Sequence, residues 1–536
     1  MSEHTLSSFD AMHQSGSASN TVYWKTLRHA GVLFPPDYEP HGVPVLYEGK
    51  PVKLSPQQEE GATMYAAMHD SDYLKKKVFR KNFWSCWKEL LGSKHTIKSL
   101  DKCDFSLITN HLNVMKENKK NIGKEEKKAI KEKKDAAEAI YKVAYVNGKP
   151  EPVGNFRVEP PGLFRGRGEH PKMGMIKARI YPKDVTINIG KKETIPQHPY
   201  KGMKWKEVIH DPTVTWLAKW TDTINPKDVK YVFLAPTSTV KADSDQNKYE
   251  VARKLAKMIK RVRRNYESDL SSKSSTTRQV ATAIYLIDRL ALRAGHEKGE
   301  DEADTVGTCT LKAENVDLVA PSFVKLNFLG KDSIRYENTV EVDKRVFKNI
   351  GIFKKDKEPG DLLFHRLDAT MLNKELKKIM PELSAKVFRT YNASFTLDTL
   401  LNDEKHDGIA NKDVTAKKAV YERANKEVAV LCNHQRAVPK GHAAQVQKIK
   451  DKIKDLKSQT PLTDKQKERL GKLKLQLKMK NELKQVALGT SKINYLDPRI
   501  TIAWCKRNEM PIEKIFTKTL LNKFVWAMDE SMRFRF

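Results

Sequence analysis

The sequence predicts a protein of several domains that mixes helices with short strands, and three observations carry that expectation. A length of 536 residues allows about two to four domains, each with its own core. Residues 150–240 are rich in Pro and Gly and hold short β-type runs. On either side of them, apolar residues recur at helical spacing.

The elements follow in chain order. Residues 1–20, MSEHTLSSFDAMHQSGSASN, have neither a basic n-region nor an apolar h-region, and are expected to form a disordered tail without a secretory signal. From Tyr23 the chain reads as an extended, turn-rich entry in which Pro35 and Pro36 block helix. Between Ser55 and Leu91 the spacing predicts helix, with Phe79, Phe83 and Trp87 at i, i+4, i+8 on one buried face. The lysine- and glutamate-rich stretch within 106–142 predicts a helical pair broken near Gly123. A solvated helix face and a basic arm beside a polyanion both fit it.

Within 150–240, ARIYPKDVTINI and KYVFLA read as strands. A helix begins at Thr276, places Val280, Ile284, Ile287 and Ala291 on one face, and is expected to stop at Gly295. Residues 323–342 alternate apolar and polar around a Gly-Lys-Asp turn, which predicts a β-hairpin. Further helices run to about Arg436. Residues 439–484 predict two antiparallel helices broken near Pro461. The closing segment, 485–536, offers Trp504, Phe524 and Trp526 as core candidates. No repeat of roughly 20–50 residues is visible, so solenoids and propellers are not expected.

Charge supplies the first functional clue. Lys and Arg number 99 against 67 Asp and Glu, a net charge of +32. The isoelectric point is about 9.6 and the mean hydropathy −0.63. Such an excess points to a polyanionic partner, because cations that displace counterions from phosphates gain affinity. No run approaches the roughly 18 apolar residues of a spanning helix, so no membrane partner is expected. The five cysteines, Cys86, Cys103, Cys309, Cys432 and Cys505, stand singly, which fits a reducing compartment and argues against a zinc site or a disulfide framework.

Several catalytic signatures are missing. There is no GxxxxGK[ST] loop, no HExxH, no GxSxG and no acidic cluster spaced for magnesium. If this chain breaks phosphodiesters, side chains must do the work. That needs a nucleophile, cations for the charged transition state and an acid for the leaving oxygen. Tyrosine can attack if cations help to form its phenolate. Arginine suits non-bridging oxygens through its fixed fork of donors, and lysine or histidine can protonate the leaving alkoxide.

The segments LALRAG, FLGKDSIRY, KVFRTYNAS, LCNHQRA and SKINYLDPR, with PPGLFRGRGEHPKMGM near Gly162, stand in one order along the chain. Together they resemble the eukaryotic type IB topoisomerases, over about Tyr23 to Phe536. By motif the resemblance implies Tyr495 as nucleophile, Arg293 and Arg389 as phosphate-binding arginines, His434 as donor to a non-bridging oxygen and Lys331 as general acid to the 5′ oxygen. Taken singly, each has an ordinary structural explanation, such as a turn residue or a helix-end cation. The joint pattern favours chemistry.

The same matching places Arg165 and Arg167 against DNA near the cleavage site. Asp332 and Asn494 fall beside the scissile bond, where camptothecin-type inhibitors act. Trp216, Lys230, Tyr231, Lys248, Lys298, Thr305 and Asn373 are expected to touch the DNA as well.

The resemblance further implies an α+β fold arranged as a two-lobed DNA clamp. Residues 21–236 would form a mixed cap lobe and 237–438 a mostly helical, tyrosine-recombinase-like catalytic lobe. Residues 439–484 would be a helical linker and 485–536 a C-terminal domain bearing Tyr495. It implies a monomer acting in the nucleus on supercoiled double-stranded DNA, with no cofactor and no metal. Two departures stand out: only about twenty residues precede the core, and the linker is short. A tyrosine recombinase uses a similar Arg/Lys/His/Tyr set, and a chromatin-binding protein could share the charge.

Overall fold

The computed structural model describes residues 22–299, 302–406, 408–459 and 461–536, so the expected tail, 1–20, lies outside the described residues. The chain divides into two units. The first comprises the residues up to Lys241 with Lys298–Ala303, and the second Ala242–Glu297 with Asp304–Phe536. Both mix helix and strand.

The first unit opens with β1 (Leu27–His29) and the hairpin of β2 (Val45–Tyr47) and β3 (Lys50–Val52). The helical stretch expected over 55–91 is two helices, α1 (Pro56–Ala66) and α2 (Lys77–Leu91). Ser71 explains the break: its hydroxyl accepts from the Tyr73 amide and starts a separate tight turn at Asp72–Lys75. Phe79, Phe83 and Trp87 are fully buried on one face, as their spacing predicts, and Tyr65 stacks on Phe83 with centroids 4.2 Å apart.

After β4 (Cys103–Asp104), α3 (Ser106–Asn121) and α4 (Lys124–Glu138) lie on either side of Gly123. β5 (Val143–Val146) pairs with β1 and with β6 (Lys149–Pro152). The pair β7 (Gly162–Leu163) and β8 (Ile176–Lys177) brackets the RGRGEHP loop. ARIYPKDVTINI becomes strand only from Val185, because Pro182 begins a turn in which the Asp184 carboxylate accepts from the Tyr181 amide. A four-stranded sheet then forms from β9 (Val185–Asn188), β10 (Glu207–Ile209), β11 (Trp216–Thr221) and β12 (Val229–Phe233), in the order β10-β9-β11-β12. Its buried face packs Ile187, Leu217 and Trp220 with Leu27 and Phe156.

In the second unit α5 (Thr239–Asp269, most of whose length belongs here) and α6 (Ser275–Leu290) share a core with the strands that follow. Val280, Ile284 and Ile287 are buried as expected, but α6 ends earlier than Gly295: Ala291 already has left-handed backbone, φ 49° and ψ 33°. Side chains of a later helix explain the stop. Asn392 donates to the Asp288 carbonyl at 2.6 Å and Arg389 to the Ala291 carbonyl at 2.8 Å, so these groups are satisfied without another helical turn.

β13 (Val316–Val319), β14 (Phe323–Leu329) and β15 (Arg335–Glu341) form an antiparallel sheet, and the expected hairpin runs from Phe323 opposite Glu341 to Leu329 opposite Arg335. Helices α7 (Lys344–Lys354), α8 (Ala369–Ile379), α9 (Ala385–Leu401) and α10 (Val414–Leu431) follow. α11 (His442–Lys457) and α12 (Asp464–Glu482) pack on one another as the expected helical pair, and the Thr463 hydroxyl caps α12. The chain closes with α13 (Leu488–Asn494), α14 (Pro498–Arg507) and α15 (Lys518–Lys523). Trp504 and Phe524 are buried and Trp526 is partly buried, in a core shared with Leu397, Tyr421 and Val428 of α9 and α10. The closing segment is therefore seated on those two helices. Among the described residues, no helix is long and apolar enough to cross a membrane.

Candidate active site

Arg293, Lys331, Asp332, Arg389 and His434, from four separate segments of the second unit, help to line one cleft of about 220 Å³. Each is held by local structure. Arg293 follows α6 on a segment locked by two glycines. A Cβ on Gly307 would lie 2.4 Å from the Gly295 Cα, and Gly295 has φ +82°, so only glycine fits this backbone approach. The Thr308 amide donates to the Arg293 carbonyl at 2.8 Å.

Lys331 sits in the β14–β15 turn, closed by the Gly330 amide donating to Ile334 at 2.9 Å. Asp332 and Ser333 take left-handed φ of 68° and 56° there. The side-chain amides of Asn433 and Gln435 each donate to the Arg335 carbonyl at 3.3 Å, which ties the hairpin to the segment carrying His434.

Arg389, on α9, is buried. It donates to the carbonyls of Ala291 and Cys432, leaving its Nε without a partner among the described residues. His434 is buried with Nδ1 2.8 Å from the Ser491 hydroxyl and Nε2 unpartnered. Burial above all, then the charges of Arg389 and Arg293, lower its pKa to about 3, so the ring is neutral.

Tyr495 immediately follows α13 and is not itself among the residues lining the cleft. Its ring stacks on His434, with centroids 5.4 Å apart and planes 22° apart, and the Arg389 guanidinium lies 5.1 Å from the ring centre. Burial is the largest influence on the phenol and pushes its pKa up. The charges of Arg389 and Arg293, with a hydrogen bond from Arg293, outweigh it, and the net shift is downward. Its backbone is fixed as well: the Tyr495 amide donates to Ser491 at 2.9 Å, and the Ser394 hydroxyl donates to the Tyr495 carbonyl at 2.9 Å. Ser394 in turn accepts from the Asp497 amide, and the buried Asp497 carboxylate holds Arg499 through two hydrogen bonds.

The arrangement can do specific chemistry. Three cationic side chains and a neutral imidazole meet at one cavity, and two buried nitrogens of these lining residues, Arg389 Nε and His434 Nε2, have no partner among the described residues. Buried polar nitrogens rarely stay unpaired, so an oxyanion fits this cleft. Beside it stands a phenol whose ionisation the same cations favour.

Other residues singled out in the sequence lie at varying distances from this chemistry. Asn494 is the last residue of α13, beside Tyr495. Thr305 is half-buried, next to the lining residue Val306. Lys248 pairs with Asp245 at 3.3 Å and stands over the Tyr249 ring. Asn373 accepts from the Ala385 amide at 3.0 Å and thus caps α9.

The remainder belong to the first unit. Arg165 and Arg167 are exposed in the loop between β7 and β8. Lys230 pairs with Asp222 at 3.1 Å and Lys298 with Glu302 at 3.3 Å. Trp216 and Tyr231 are only 6 % and 8 % exposed and meet edge-on at 5.9 Å, which leaves little of either ring open.

Sequence reasoning missed Ser491 and Ser394, and the carbonyls of Ala291 and Cys432. Ser491 carried a signal, since it lies one helical turn before Tyr495 in SKINYLDPR. Backbone carbonyls carry none.

Comparison with known proteins agrees over nearly all of the chain from residue 22 onward. Residues 22–234 match the DNA binding fragment of eukaryotic DNA topoisomerase I, 237–467 its catalytic core and 467–536 a C-terminal topoisomerase domain. DNA topoisomerase 1 beta of Arabidopsis thaliana is 54% identical across 96% of this chain and 59% of its own length. DNA topoisomerase 1 of Daucus carota is 48% identical across 95% of the chain and 72% of its own length; that of Homo sapiens is 45% identical across 95% and 71%. The chain thus spans less than two thirds of the Arabidopsis relatives. With similarity of this depth over nearly all of its residues, the chain belongs to the eukaryotic DNA topoisomerase I family.

Proposed function

We propose that this protein is a type IB DNA topoisomerase that relaxes positive and negative supercoils without ATP. One observation carries the reading above the rest: Tyr495 lies against Arg293, Arg389 and His434, which share a cleft with Lys331. The Tyr495 oxygen attacks a backbone phosphorus in line. Arg293, Arg389 and His434 bind the non-bridging oxygens as charge builds, and Lys331 protonates the departing 5′ oxygen. A 3′-phosphotyrosine and a free 5′ hydroxyl result. Torsion turns the free end, and the hydroxyl then attacks the phosphotyrosine and releases the phenol. One ester replaces another at each step, so no external energy is needed.

In this reading residues 21–236 are a cap lobe and 237–438 a recombinase-like catalytic lobe, closing as a clamp on duplex DNA. Residues 439–484 are the linker, and 485–536 deliver Tyr495. Arg165, Arg167, Trp216, Lys230, Tyr231, Lys248, Lys298, Thr305, Asp332, Asn373 and Asn494 contact DNA, with Asp332 and Asn494 at the site of camptothecin-type inhibitors. The protein works as a monomer in the nucleus. A net charge of +32 supports the polyanionic partner.

Relaxation of supercoiled plasmid in EDTA without ATP, by wild type and by Tyr495→Phe, tests this. Relaxation by wild type alone supports the reading. Failure of wild type to relax the plasmid while still binding it would overturn it, and strand exchange between two defined sites would favour a recombinase instead.

A further inference from the structure

Ser491 makes two connections at once. Its carbonyl accepts from the amides of Tyr495 and Leu496, at 2.9 and 3.0 Å. Its hydroxyl lies 2.8 Å from His434 Nδ1 and has no second partner among the described residues. Ser491 is fully buried.

The direction of that hydrogen bond decides what His434 offers to the cleft. If Nδ1 carried the proton and donated to Ser491, the serine O–H would be a buried donor with no acceptor, which is costly. His434 Nε2 would then turn a lone pair toward the cleft and repel an oxyanion. If the serine donates, its proton is satisfied, Nδ1 is the acceptor, and the imidazole proton must sit on Nε2. That nitrogen is the one left without a partner among the described residues.

We propose that Ser491 is a positioning residue: its hydroxyl donates to His434 Nδ1 and holds the imidazole as the Nε2–H tautomer, ready to donate to a non-bridging phosphate oxygen. Ser491 also belongs to the helix that leads directly into Tyr495. The donor is therefore set only when the nucleophile's helix is seated on the His434 segment. Three contacts bring those segments together: the Ala487 amide on the His434 carbonyl at 2.9 Å, the Arg436 amide on Gln485 at 3.0 Å and the bridge between Gln435 and Val486. Seating of Tyr495 and activation of His434 become one event. This inference rests on the topoisomerase reading.

A double-mutant cycle on the full chain tests it. Wild type, Ser491→Ala, His434→Ala and the double variant are compared for single-turnover formation of the covalent adduct on a duplex oligonucleotide, with DNA affinity and thermal unfolding measured alongside. Ser491→Ala is expected to slow adduct formation about tenfold and His434→Ala about a hundredfold, with affinity unchanged for Ser491→Ala and its unfolding temperature lowered only slightly, by the lost partner of Nδ1. In the His434→Ala background the serine substitution is expected to add nothing, because its effect passes through the imidazole. Ser491→Thr, which keeps a hydroxyl, is expected to stay within about threefold of wild type. Additive losses, or a Ser491→Ala rate equal to wild type, would overturn the proposal. Absence of any adduct with wild type would overturn the topoisomerase reading and this inference with it.

Discussion

The guanidinium of Arg389 lies 5.1 Å from the centre of the Tyr495 ring while its terminal nitrogens are bound to the carbonyls of Ala291 and Cys432. The cation that favours the Tyr495 phenolate is therefore locked before any substrate arrives, which is what electrostatic preorganisation requires. Arg389→Gln removes the charge, so the phenol pKa is expected to rise. The alkaline limb of single-turnover cleavage should then move to higher pH, with a rate near neutrality lower by about 10²–10³-fold. A pH–rate profile of both proteins checks the direction.

His434 differs from an ordinary histidine in its titration. With a pKa lowered to about 3 by burial and the two arginines, it stays neutral from pH 5 to 8, so cleavage is expected to show no limb assignable to it near 6.5. His434→Gln, which keeps an N–H donor, should retain more activity than His434→Ala. A cleavage limb near 6.5 that disappears in His434→Gln would contradict the neutral-donor role.

The same depression predicts a pH dependence of stability. His29, lowered to about 4 mainly by burial, and His434 bind fewer protons folded than unfolded. Their contribution is present above about pH 6.5, the unfolded value. It is lost as pH falls toward 4 and then 3. The unfolding temperature is expected to decline across that window, and His434→Gln to flatten part of the decline.

Gly307→Ala tests the lock behind Arg293. A methyl there meets the Gly295 backbone, which cannot move aside without shifting the Arg293 segment. A loss of at least about 2 kcal/mol in denaturant unfolding is expected. Cleavage should fall further than the loss of folded protein explains.

Asp497→Ala removes, two residues beyond Tyr495, the buried carboxylate that holds Arg499. Breaking this buried ion pair costs up to about 3 kcal/mol. Glu250 still accepts from Arg499, at 2.6 Å, so the protein is expected to fold at reduced stability.

What could be read in advance followed periodicity and side-chain chemistry. The Phe79, Phe83 and Trp87 face, the break at Gly123 and the 323–342 hairpin rest on local patterns, and local patterns determined them. The end of α6 did not, because Asn392 and Arg389, about a hundred residues later, satisfy its carbonyls and let Ala291 turn where Gly295 was expected. Resemblance named the five residues proposed for catalysis, yet it said nothing of why the Tyr495 pKa falls or which imidazole nitrogen lacks a partner among the described residues. Those follow from burial and from contacts between segments distant in sequence. Trp216 and Tyr231 were expected at DNA by matching alone, while their burial comes from sheet packing that no motif encodes.

The central claim is that Tyr495 becomes covalently joined to DNA. Wild type would be incubated in EDTA with a duplex oligonucleotide whose cleaved end diffuses away, then denatured and digested, and the DNA-linked peptide sequenced by mass spectrometry. The account predicts a single adduct, on Tyr495 and through a 3′ phosphate, that is absent in Tyr495→Phe. An adduct on another residue, linkage through a 5′ phosphate, or an undiminished adduct in Tyr495→Phe would contradict it.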